Sequence, residues 1–175
     1  MPEETYVPLF SEICTKINNA KDKPKKIGVL RHYRTPAFEM FLKAALDPSI
    51  EWLLPVGDVP FMANDAPEGT EHTRLSREML KCHNYVKMNR NRVDLAPVVG
   101  NPNLNLAQRE LMFIQMLEGL HKDEASLLIS AKDKKLHRKY KGLSDNVVKE
   151  AFDWDDDYKR IEHEQYPQSS GLAGG

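Results

Sequence analysis

Lys132, Lys134, Lys135, Arg138, Lys139 and Lys141 crowd one short stretch of the chain, opposed inside it only by Asp133. On a helix of about 3.6 residues per turn, Lys134, Arg138 and Lys141 share one side, leaving Leu136 and Tyr140 to face a core. Cations spaced this way can neutralise several phosphates, and binding of that kind weakens steeply with salt. Arg74, Arg77, Lys81, Lys87, Arg90 and Arg92 can extend the face, with Tyr85 or Tyr140 as groups on which a base stacks. The competing reading is a solvated surface whose positive charge meets the acidic C-terminal segment.

A second constellation is the polar knot Asn64, Asp65, Glu68, Glu71, His72 and Arg74, where a carboxylate and an imidazole can meet at a helix start. His72 is its acid–base candidate, although Asp, Glu and Thr near a helix start also serve as caps. Asp153, Asp155, Asp157 and Glu164 fall at calcium-loop positions, but Tyr158 stands where that loop needs glycine for its sharp turn. His72 and His83 are too far apart along a helix to share an ion, and no paired-cysteine or H-E-x-x-H spacing is present. Phosphate-cradling glycine loops and nucleophile elbows are missing too. No metal and no cofactor are implied, and the reading is non-enzymatic.

With 25 Lys and Arg against 26 Asp and Glu, the 175-residue chain has a net charge of −1, so a basic patch must come from segregation of the two signs. A 41% hydrophobic content supports one core rather than whole-chain disorder. The two cysteines, Cys14 and Cys82, make no disulfide framework, and a reducing cytoplasm is the expected compartment. No window approaches the ~20 apolar residues of a membrane span, and the acidic start is unlike a secretion signal.

These groups need a scaffold. Leu9, Ile13 and Ile17 recur at helical spacing from Pro8 to Ala20. Asp22 with Pro24 and Thr35 with Pro36 each supply a cap and an early helical proline, opening a second helix and a third that stops at Asp47-Pro48. Residues 48–69 hold four prolines and two glycines around Trp52, Leu53, Leu54, Phe61 and Met62, which predicts an extended arm. That arm either straps the helices or offers Trp52, Leu54 and Phe61 to a partner. A helix from Thr70 or Thr73 to about Met88 carries Leu75, Met79, Cys82 and Val86, with Cys82 as an inert core thiol. Turn chemistry fills 89–103, and Asn103 or Asn105 caps a central helix ending at Gly119 in a left-handed conformation. Helical segments over 123–140 and 145–152 follow, the latter capped by Ser144. The sequence therefore predicts an all-α orthogonal bundle of about six to eight helices, with no strand of convincing period-2 length. Residues 1–154 form its single domain, and 155–175 an acidic then flexible Gly-rich tail.

Three stretches, NDAPEGTEHTRL at 64–75, MFIQMLEGLHKDEA at 112–125 and KDKKLHRKYKGLSDNVVKEAF at 132–152, occur in order with DPSIEW at 47–52. Together they resemble a family of small proteins of T4-like tailed bacteriophages, including cyanophages, for which only a domain of unknown function is defined. The resemblance spans most of 8–154 and implies a viral protein made in an infected bacterium, with virion association open. It brings no catalytic residues, fold or cofactor. The loop 89–103 is longer than the resemblance leads one to expect. The expectation is a phage accessory protein that binds nucleic acid, DNA or RNA, or a complex handling it, through the basic helix. A protein-interaction module, host-factor inhibitor or virion component, is the alternative, and a small acid–base or metal-dependent enzyme comes third.

Overall fold

The computed structural model describes residues 7–64, 71–88 and 101–161. Within them the chain is mostly helical: α1 (Phe10–Asn19), α2 (Lys23–His32), α3 (Pro36–Leu46), α4 (Leu75–Glu78), α5 (Leu106–Gly119), α6 (Lys122–Lys132), α7 (Leu136–Lys139) and α8 (Asp145–Phe152). The caps work as their chemistry requires. Asp22 accepts from the Lys25 N–H at 3.0 Å, Thr35 from Phe38 at 3.1 Å, and Asn105 from Gln108 at 2.8 Å, the last reciprocated by the Gln108 side chain.

The fold is not purely α. Ile50–Trp52 (β1) pairs antiparallel with Val86–Met88 (β2), Trp52 opposite Val86 and Glu51 opposite Lys87. Ile50 and Trp52 point inward and Glu51 outward, but three residues are too few to register as a period. The helix expected to run to Met88 is shorter. After α4, a 3₁₀ segment (Met79–Asn84) is kinked at Lys81, and Tyr85 leads into β2. Leu75, Met79, Cys82 and Val86 are all buried nonetheless, because a β-branched residue in a strand continues the inward face that the helix began.

One cluster unites the elements. Phe10 packs on Phe38 and Phe41 at 4.9 and 5.7 Å between ring centroids, and Phe113 receives the edges of Trp52 and Tyr85. Gly119 is not left-handed. Its carbonyl instead accepts from the Thr73 N–H at 3.1 Å.

The fold also reaches past residue 154. Asp155 and Lys159 close a turn at 2.8 Å, Trp154 bridges to Arg160, and Tyr158 is buried with its hydroxyl 3.2 Å from the Leu46 carbonyl. The first part of the expected tail is thus docked. One aromatic side chain under the turn outweighs the hydrophilicity around it. Residues 162–175 and the loop 89–100 lie outside the described residues.

Candidate functional site

The basic run is not one helical face. Helix α6 ends at Lys132, and the N–H groups of Lys134 and Lys135 return to the carbonyls of Ala131 and Ser130 at 3.1 and 2.8 Å. This is a Schellman stop, and it puts Lys134 in the left-handed region at φ 58°, where glycine is usual. The break separates Lys134 from Arg138, which therefore do not share a side of one helix.

Two cations bond to the fold, Lys132 from a buried position and Lys134 from an exposed one. The Lys132 side chain is 1% exposed, and its ammonium holds Asp133 at 2.6 Å and the carbonyls of Pro55 and Gly57 at 2.6 and 3.1 Å. Asp133 in turn accepts from the Gly57 N–H at 3.1 Å, so the pair clamps the arm to the end of α6. The Lys134 ammonium donates to the carbonyls of Ala44 and Asp47, each at 2.8 Å, closing the C-terminus of α3. Desolvation there lowers it to about 8, against the pull of the buried Asp47 carboxylate. Lys132 is therefore closed to a phosphate, while Lys134 is an exposed residue whose ammonium is engaged by two backbone carbonyls.

Lys135, Arg138, Lys139 and Lys141 stay exposed. Lys139 donates to Ser126 Oγ at 2.6 Å, while Lys135, Arg138 and Lys141 form no ion pair with a described residue. Lys139 shares an open cleft with Lys16 and Thr15 of α1, which Glu12 and Asp123 also line. Past Lys141, the Gly142 N–H donates to Asn18 at 2.8 Å, and a side chain at Gly142 would strike the Lys26 stem. The exposed end of the run is thereby joined to lysines of α1 and α2.

Arg74 and Arg77, the expected extension, lie just before and on α4. Arg74 donates to the Val7 carbonyl and lies 3.9 Å from Glu71, and Arg77 is exposed on α4. Tyr85 and Tyr140 are 4% and 9% exposed, which removes both as stacking platforms. Arg90 and Arg92 lie outside the described residues.

The arm is a strap. Trp52 and Leu54 are core residues, and the Trp52 indole N–H donates to the Ala44 carbonyl at 2.9 Å, so neither is a surface contact as proposed from sequence. Phe61 is half-buried against the core, and Val56 and Met62 are the exposed large hydrophobic side chains among the arm's described residues.

Residues 13–138 match the family of unknown function DUF6433. The chain belongs to this family. No curated protein and no solved structure matches the chain. The DUF6433 match contains Lys132 and Lys134, which bond to the fold, together with Lys135 and Arg138, and ends before Lys139, Lys141 and the docked segment.

Within the DUF6433 span, His72 is exposed rather than set in a pocket, and Asp65 and Glu68 of its knot lie outside the described residues. A nearby carboxylate escaped sequence reasoning. Glu124 is fully buried, its two oxygens accepting from Phe10 N–H at 2.7 Å and Leu75 N–H at 2.9 Å, the first residues of α1 and α4. Burial raises its pKa; the two amides and Arg74 oppose the shift. No local motif could reveal it, because its partners are 114 and 49 positions away. Cys82 is a core thiol, pushed up to about 12 by burial, and Cys14 is raised for the same reason. Beyond the match, Asp155 accepts from the N–H groups of Asp157 and Lys159, and Glu164 of the acidic pattern lies outside the described residues.

Proposed function

We propose that this DUF6433 protein is a non-enzymatic accessory protein of T4-like phages that contacts nucleic acid, or a complex handling it, in the cytoplasm of the infected bacterium. The observation that carries the reading is the exposed group Lys135, Arg138, Lys139 and Lys141, joined to the α1 and α2 lysines while Lys132 and Lys134 serve the fold. Net charge near zero is no obstacle, since a local field steers a polyanion to such a face.

The test is fluorescence-anisotropy titration of labelled single-stranded and duplex oligonucleotides at several salt concentrations, with a Lys135/Arg138/Lys141 triple alanine beside the wild type. Each phosphate neutralised contributes about 0.7–0.9 to the slope of log affinity against log salt. The triple variant is expected to lose about 2 units of that slope. Wild-type protein that binds no strand even at low salt overturns the reading.

Val56 and Met62, 76% and 79% exposed on the arm, favour a second reading, a docking surface for a host or phage protein. Met62→Asp separates the two, because it would abolish capture of such a protein and leave oligonucleotide binding intact.

A further inference from the structure

Helix α2 carries a glycine for which the fold gives no reason. Gly28 stands in its middle, and a side chain there would meet open space. Its φ is not in the left-handed region. Glycine is the least favourable residue in a helix interior after proline, so neither propensity nor packing accounts for it. What its bare backbone does is keep open the floor of a shallow groove. Lys16 of α1 and Lys25 of α2 border that groove, and Val29, His32 and Tyr33 complete it. His32 is exposed and meets the half-buried Tyr33 edge-on at 4.6 Å between centroids, so the imidazole is braced by its neighbour.

Building on the proposed function, we infer that this groove seats one unpaired nucleotide of a single-stranded nucleic acid, its base against His32 and Tyr33 over Gly28 and its flanking phosphates on Lys16 and Lys25. Charge complementarity and continuity support it. Lys16 lines both the groove and the cleft of Lys139, so a strand crossing the exposed basic group reaches the groove through this shared lysine, passing Glu12 and Asp123 at the cleft wall. Duplex bases are covered by their neighbours in the stack, and the groove offers a duplex nothing beyond phosphate contacts. An unpaired base presents a ring face, which an aromatic side chain binds with little regard to sequence.

The experiment uses the full chain, with oligo-dT, oligo-U and a duplex as probes, and compares Gly28→Leu, His32→Ala and the Lys135/Arg138/Lys141 triple alanine. Leucine is a good helix former and would fill the groove, so Gly28→Leu should melt at or above the wild-type temperature. Its affinity for either single strand should fall about tenfold, with duplex affinity unchanged. His32→Ala, an exposed truncation, should show the same selective loss. Single-strand affinity that survives both substitutions while the triple variant weakens overturns the groove and leaves the basic face standing. Equal losses on single strand and duplex also overturn it, since the groove would then act only through charge. Wild-type protein that binds none of the probes overturns both readings together.

Discussion

Lys132 and Lys135 are three positions apart, and the Schellman turn between them separates two kinds of lysine. On the inner side, Lys132 holds a carboxylate and two arm carbonyls with its side chain sealed from water. On the outer side, Lys135 and Arg138 are exposed and form no ion pair with a described residue. A cation that must satisfy buried carbonyls cannot also meet a phosphate, so a run of like charges is divided by backbone geometry into a structural and an accessible half. The arm shows the same division, Trp52 and Leu54 inside and Val56 and Met62 outside.

The division is broken most severely at Lys132. Lys132→Ala strands the Asp133 carboxylate and frees the arm, and should cost about 3–5 kcal/mol in urea denaturation. Glu124→Ala removes the shared cap of α1 and α4 and should cost about 3 kcal/mol by the same measurement, since hydrogen bonds to a charged group are worth ~1.5–3 kcal/mol each. A loss below about 1 kcal/mol at either position would deny that these groups hold the fold.

Lys134 gives a smaller effect and sharpens the comparison through pH. Lys134→Gln should cost about 1–2 kcal/mol at neutral pH through its two lost carbonyl contacts. The ammonium titrates at about 8 in the folded chain against 10.5 for an ordinary lysine. Between those values the unfolded chain binds more protons, so this group's contribution to stability rises with pH. The stability of wild type minus that of the variant should therefore increase from pH 8 to 10.5 and be flat below. Gly28→Ala is smaller still, a gain of about 0.5–1 kcal/mol read from the thermal midpoint.

Much of the scaffold was legible because its signals are local. Asp22 with Pro24, Thr35 with Pro36, Asn105 with Gln108 and Ser144 each act within three residues, and each caps the helix it announces. What escaped depends on distant partners. β1 and β2 are three residues each and exist only as a pair. Glu124 looks like an ordinary helical carboxylate until α1 and α4 are brought to it. The stop after Lys132 was hidden because lysine holds the left-handed position that glycine would have advertised, its ammonium crossing to α3. The basic run is therefore legible as charge, while its buried and exposed members, and the cleft that Lys139 shares with Lys16 of α1, are not.

The Lys135/Arg138/Lys141 triple alanine, read for unfolding free energy and for oligonucleotide binding on the same preparation, tests the division most directly. Stability within about 0.5 kcal/mol of wild type, together with a collapse of salt-dependent binding, is the predicted result. A variant that unfolds like Lys132→Ala, or that stays folded and binds as the wild type does, would contradict it.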